Sequence, residues 1–409
     1  MKNTFLNNIR RGLGKAYIEL RDSNYKEEYL DTLIFACTHD CAYELIFEGP
    51  KSEYLYKLIK LYNDDIQNKI KDIIVNSLSI KDSRGLVFQK LDLLMCYFKD
   101  GNTDILNNIS DYYYKFIKKT IKWDKYRLSA FEIVLIIMDR AFGLKKTREM
   151  LQFIKTKKLN YDYFRWYFAI IRMRYKKDEK IQELTNITND FKENDDVFTL
   201  ENLLNTEDEV YALIYAYKIN EIEFNKTIDY LKSTDDIKNI KKILKSYFDI
   251  DNNIKNKLPI DVLFLLLEKY GDEVSNEVYN ILMHYKSQKV RKLGLKLIND
   301  KKYLNYGLAM LFYNYNESDA KFIINAYKKV SFTFDKYNFI TSETIKFMDN
   351  RKKNYPEEIL FINYQKSYDS FNREEIVRIM KKRNILSPSL IEECKYDFNY
   401  DISKTAQKW

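Results

Sequence analysis

Pro259-Ile-Asp-Val262-Leu263-Phe-Leu-Leu266-Leu267-Glu-Lys-Tyr-Gly271 opens the stretch of chain whose reading decides the fold. Proline suits the first turn of a helix, where its missing N–H costs nothing. Val262, Leu263, Leu266 and Leu267 then recur with helical period, and Gly271 marks the stop. Three more segments repeat the plan. Val274, Val278, Ile281 and Leu282 share one face, as do Val290, Leu293, Leu297 and Ile298, and then Leu304, Leu308, Leu311 and Phe312. Each predicted helix is about three turns long and the connections are about two to six residues, the rhythm of helical hairpins set side by side.

Composition extends this reading to the rest of the chain. Only 9 of the 409 residues are glycine and 4 are proline, against usual shares of about 7% and 5%. A sheet-rich protein of this length needs many tight turns, and those residues are missing. With 45% hydrophobic and 32% charged residues the chain can bury a core. The expected fold is all-α. Further helices are predicted over Phe5–Arg21, Lys26–Cys37, Ser52–Tyr62, Asp65–Leu78, Leu86–Phe98, Thr103–Ile121, Leu128–Phe142 and Lys145–Lys155. Ser331-Phe-Thr-Phe-Asp335 alternates with period two and reads as a short extended piece.

Tyr285-Lys-Ser-Gln-Lys-Val290-Arg291-Lys-Leu-Gly294-Leu carries a family likeness. A small or polar turn, then Val-Arg, then a small residue three positions later resembles the start of the second helix of a HEAT repeat. Tyr396-Asp-Phe-Asn-Tyr-Asp401-Ile402-Ser403-Lys-Thr-Ala406 echoes it, with Ser403 where the family usually has Arg, and Asn372-Arg373-Glu-Glu-Ile376 does so more weakly. The resemblance is clearest over residues 259–409. It implies a right-handed α-solenoid of stacked antiparallel helix pairs, with degenerate repeats that grip a partner along a concave face. It implies no particular partner. The expected organisation is a helical half over 1–177 with a basic surface, an acidic polar hinge over 178–196, and a second helical half over 197–409.

Charge is distributed in blocks. Residues 115–180 hold nineteen Lys and Arg against seven Asp and Glu, whereas 181–236 hold four against fourteen. Within the basic block, Arg165, Ala169, Arg172 and Lys176 fall on one stripe of a predicted helix. Trp166, Ile170 and Met173 form an adjoining apolar face, and Phe164, Phe168, Ile171 and Tyr175 another. A stripe of cations on a rigid helix suits a phosphate backbone, so Arg165, Arg172, Arg174, Lys176, Lys118, Lys122 and Trp166 are the candidate polyanion-binding residues. The plainer alternative is a solvated helix face, or one paired with the acidic block.

The remaining constellations point away from chemistry. Cys37-Thr-His39-Asp40-Cys41 has metal-ligand residue types but no second cysteine pair, so the expectation is buried small hydrophobes and no metal. His39 and His284 are the only histidines, and His284 suits a helix C-terminus. Gly12-Leu-Gly14-Lys15 lacks the glycine at Ile9 and the hydroxyl at Ala16 that a phosphate loop requires, which leaves close helix packing. Glu393-Cys-Lys395 matches the tail of a nuclease motif but falls in a predicted helix. No cofactor is expected. No apolar run reaches signal-peptide or membrane-spanning length, Ile133–Met138 and Val262–Leu267 being the longest, and the expected location is the cytoplasm.

Two functions follow as expectations. The first is a non-enzymatic scaffold whose repeats bind a protein. The second is a nucleic-acid reader using the 115–180 block. A HEAT-like DNA glycosylase is a minor third, with Trp123, Asp124, Asp162 and Trp166 resembling its residue types only.

Overall fold

The computed structural model describes residues 2–41, 50–118, 125–157, 164–185, 199–206, 215–216, 218–247, 257–330, 334–349 and 355–409. Among these there are 23 α-helices and no strand. None of the helices is long and apolar enough to cross a membrane. The chain forms two compact units, Met1–Asp190 together with Ser367–Trp409, and Phe191–Lys366.

The first unit begins with α1 (Lys2–Arg11), α2 (Gly14–Arg21), α3 (Glu27–Thr38), α4 (Ser52–Ile59), α5 (Asp64–Asn76), α6 (Arg84–Lys99), α7 (Ile105–Lys118), α8 (Lys125–Thr156), α9 (Arg165–Arg174) and α10 (Glu179–Leu184). Next-but-one helices pack together: α1 on α3, α4 on α6, and α6 on α8. The centre of the unit is α6, which buries Val87, Phe88, Leu91, Leu93, Leu94 and Tyr97, and with them the polar Gln89 and Lys90, whose side chains are hydrogen-bonded. The run Phe131–Met138 of α8 packs beside it. Starts are set by local capping. Asn63 accepts from the Ile66 N–H at 3.0 Å and Ser83 from the Leu86 N–H at 3.3 Å.

The second unit holds α11 (Leu200–Asn205), α12 (Glu221–Ser233), α13 (Ile237–Lys245), α14 (Ile260–Tyr270), α15 (Ser275–Leu282), α16 (Gln288–Leu297), α17 (Leu304–Tyr313), α18 (Ala320–Lys329), α19 (Phe334–Met348) and α20 (Glu358–Lys366). The four helices predicted after Pro259 all form. Gly271 ends α14 with a positive φ of 51°. Phe334 and Asp335 belong to α19, not to an extended piece, and 331–333 lie outside the described residues. Here too α13 packs on α15, α15 on α17 and α17 on α19. Gly294 and Gly307 let α16 and α17 approach. A Cβ on Gly307 would lie 2.8 Å from the Ile298 backbone nitrogen, and one on Gly294 would lie 3.1 Å from the Gly307 carbonyl oxygen.

Side-chain bonds between these helices recur at a near-constant interval. Tyr285 donates to the Leu258 carbonyl, Lys289 pairs with Asp261, Arg291 with Asp319, Asn314 donates to the Tyr285 carbonyl, and Tyr303 donates to Asp272. The separations are 27, 28, 28, 29 and 31 residues.

Ser367–Trp409 supplies α21 (Ser370–Lys382), α22 (Pro388–Cys394) and α23 (Tyr400–Ala406) to the first unit. Composition had assigned 197–409 to one half. The difference comes from Gly12 and Gly14, which admit the C-terminal helices to the N-terminal ones. Phe398 N–H donates to the Gly12 carbonyl at 2.8 Å, and a Cβ on Gly14 would lie 1.9 Å from the Glu393 carbonyl oxygen. Tyr17 stacks on Tyr396 with ring centres 4.2 Å apart, and Arg21 reaches Glu392 at 3.1 Å. The break at Gly12, where φ is +72°, also divides the single helix predicted over Phe5–Arg21 into α1 and α2. Of the expected hinge, residues 179–184 form α10, while 186–196 lie outside the described residues.

Candidate functional site

The basic block is built around a bend in α8. Gly143 takes φ 69° and folds the helix back on itself. Asp139, 2% exposed, stands just before the bend and accepts from the Thr147 hydroxyl just after it. The same carboxylate accepts from the Tyr175 hydroxyl at 2.8 Å and from the Arg174 guanidinium. One turn-pair earlier, Glu132 accepts from Arg84 at 2.6 Å and from the Tyr167 backbone N–H at 3.0 Å. These buried carboxylates fix α9 against α8, each saturated by donors as burial demands.

Other cations of the block are also spent internally. Arg140 pairs with Asp92 at 2.9 Å, Arg148 with Asp178, and Lys146 with Glu149 at 3.1 Å. Arg174 is therefore a structural cation first and a surface cation second. By contrast, Lys118, Lys145, Arg172, Lys176 and Lys177 are exposed and make no ion pair with any described residue. Arg172 is not buried against the acidic block.

The predicted faces of α9 separate cleanly. Phe164, Phe168 and Ile171 are buried, with Tyr175 partly so, and this is the core face. Ala169 and Arg172 lie on the solvent face. Of the adjoining apolar face, Ile170 is half-buried against the core and Met173 is 72% exposed. The helix ends at Arg174, so Lys176 sits in the following turn, off the helical stripe. Arg172 and Arg174 occupy its last turn, where cations favour the negative end of the dipole. The side chains of Arg165 and Trp166, and the whole of Lys122, Trp123, Asp124 and Asp162, lie outside the described residues.

Elsewhere the reactive residue types are occupied in packing. α3 ends at Thr38, so Cys41 is not on the helix face of Cys37; its thiol lies 3.5 Å from the Ala36 carbonyl oxygen. Both sulfurs are buried, and burial pushes the Cys41 thiol up to about 11 and that of Cys37 higher still. His39 stacks on Phe35 with ring centres 3.8 Å apart. His284, just past α15, lies 3.3 Å from the Tyr313 hydroxyl. No group of three or more His, Cys, Asp and Glu among the described residues could hold a metal ion.

Two features escaped the sequence. Arg373, in the weak echo, is wholly buried against Asp397, a pairing signalled only by its place in that echo. Tyr114, just before the basic block, and Phe142 within it are exposed rings, and the Tyr114–Lys118 spacing of one turn was the signal available for the first. No family model matches this chain, and neither does any curated protein or solved structure compared with it. What the helices define is an all-α protein.

Proposed function

We propose that this chain is a non-enzymatic helical-repeat scaffold, a right-handed HEAT-like solenoid of stacked helix pairs, and that its first unit binds a polyanion. The observation that carries the partner class is the set of exposed cations Lys118, Lys145, Arg172, Lys176 and Lys177, which pair with no carboxylate among the described residues. Cations that neutralise phosphates release counterions, so binding must weaken steeply with salt. Fluorescence anisotropy with labelled DNA and RNA over a salt series tests this on the full chain. Steep salt dependence, lost in Arg172→Glu/Lys176→Glu/Lys177→Glu, supports the reading. No binding at low salt abandons it.

A second reading is a protein partner held along the concave face of the repeats. It is supported by the regular inter-helix bonding of the second unit, which leaves Leu265 and Phe322 exposed. Crosslinking mass spectrometry with partner capture tests it, and reproducible absence of crosslinks to α14 and α18 would count against it.

A further inference from the structure

Around the Gly143 bend two aromatic rings remain in solvent among cations. Tyr114 is 45% exposed and Phe142 38%, although Tyr113 and Phe116 on the same helix as Tyr114 are buried against Phe131. Lys146 Nζ lies 3.2 Å from the Tyr114 hydroxyl and 5.1 Å from the centre of its ring, which ties α7 to the part of α8 beyond the bend. Lys118 follows Tyr114 by one helical turn, and Lys145 stands beside Lys146; both are exposed and unpaired among the described residues. The bordering acids are Asp111, exposed, and Glu149, which is held by Lys146.

Exposed rings interleaved with ammonium groups offer two interactions at once. A ring face stacks on an unpaired base, and a nearby cation meets the phosphate that follows it. A duplex hides its base faces and uses the cations alone. We propose that Tyr114, Lys118, Phe142 and Lys145 form a stacking platform for single-stranded nucleic acid, with Lys146 positioning the Tyr114 ring. The platform rests on the polyanion reading above and narrows it to unpaired strands.

The test uses the full chain with a labelled thymidine homopolymer of about 20 nucleotides, a duplex of equal length and a poly-glutamate peptide, over about 50 to 200 mM salt. The expected result is preference for the single strand. Tyr114→Ala/Phe142→Ala weakens that binding about tenfold or more, since each stacked base contributes substantially, while duplex binding and its salt slope stay unchanged. Tyr114→Phe keeps single-strand binding. Should the double variant lose its native circular dichroism, Lys118→Glu/Lys145→Glu takes its place, with single-strand affinity expected to fall more than duplex affinity.

Equal affinity for both nucleic acids, salt-dependent but indifferent to the rings, overturns the platform and leaves the polyanion reading standing. Absence of any salt-dependent binding removes both. Poly-glutamate binding as tight as the single strand assigns the surface to a protein partner instead.

Discussion

The guanidinium of Arg373 is fully buried against the carboxylate of Asp397, with Nη2 3.0 Å from Oδ1 and Nε 3.3 Å from Oδ2. Its remaining nitrogen donates to the Ser367 carbonyl at 3.3 Å, and Asp397 also accepts from the Asn399 N–H at 2.8 Å. The pair links α21 to the turn before α23, 24 residues on. Arg291 does the same with Asp319 over 28 residues, at 2.8 and 2.7 Å. In both cases the arginine lies on one helix, α16 or α21, and its aspartate stands just before the next helix but one, α18 or α23.

Breaking the sealed pair leaves a buried polar group without its partner. Arg373→Met is expected to cost about 3–5 kcal/mol, because Asp397 would stay in the core with its guanidinium partner gone. Removing both charges, as in Arg373→Met/Asp397→Leu, should restore most of that loss. Arg291→Met should cost less, about 1–3 kcal/mol, since Arg291 is partly exposed and water can replace it. Urea unfolding followed by circular dichroism measures all three. A single-variant loss at Arg373 below about 1 kcal/mol would show that the site opens to water.

Gly14→Ala separates the two ends of the first unit. The added Cβ would sit 1.9 Å from the Glu393 carbonyl oxygen, a backbone atom that cannot turn aside. Gly101→Ala is the control: φ is +97° there but nothing lies within 4 Å of the new atom, so only local strain of about 1 kcal/mol is expected. Thermal melts should therefore fall much further for Gly14→Ala. Hydrogen exchange should localise its effect to α2 and α22. Equal losses would show that α22 yields without cost.

Helical period was legible wherever a helix buries one face. Val262, Leu263 and Leu266 of α14, and Val278, Ile281 and Leu282 of α15, were placed correctly because each lies on a stripe. Gly294 was legible as a point of close approach through its place after Val290-Arg291. The pairing of Gly14 with Glu393 was not, because nothing local distinguishes a glycine that admits a distant helix from one that merely ends a turn. Nor could the charge block reveal that Arg174 belongs to Asp139 while Arg172 does not. The two differ by two residues on one helix, and only the tertiary position of a buried carboxylate separates them.

That separation is measurable. Arg174→Ala leaves Asp139 buried with only the Thr147 and Tyr175 hydroxyls, and should destabilise the first unit by about 1–3 kcal/mol. Arg172→Ala touches no ion pair among the described residues and should stay within about 0.5 kcal/mol of the parent. Polyanion affinity should move the other way, falling with Arg172→Ala in a folded protein. Denaturation and anisotropy on the same two variants decide the assignment. A stability loss at Arg172 would make it a structural cation too.

The cysteines should be silent in the native state. Cys37, Cys41, Cys96 and Cys394 are all buried, and burial pushes the thiol of Cys41 up to about 11 and that of Cys96 up to about 12. Near pH 8 Cys37, Cys41 and Cys96 are neutral thiols, the thiolate being the reactive form, and Cys394 is shielded by its burial. A chromogenic disulfide reagent should therefore titrate none in the folded chain and four in denaturant. Rapid native labelling would mean that one of these helices opens readily.

Asp178 should leave a signature in acid. Its carboxyl is held below the ordinary value of 3.8, first by the Arg148 guanidinium and then by the Ile181 N–H that it caps. The folded state therefore binds a proton less readily than the unfolded state. The stabilisation is complete above about pH 4 and is lost as pH falls through the lower folded value. Asp178→Asn keeps an acceptor for the Ile181 N–H, so the cap of α10 survives and only the charge is removed. The variant should be less stable than the parent at pH 7, and the gap should close on acidification as the parent's own carboxylate becomes neutral. Urea midpoints between about pH 6 and pH 2.5 follow this directly. A gap that persists undiminished at the acid end would mean that the Arg148 charge is not what Asp178 supplies to the fold.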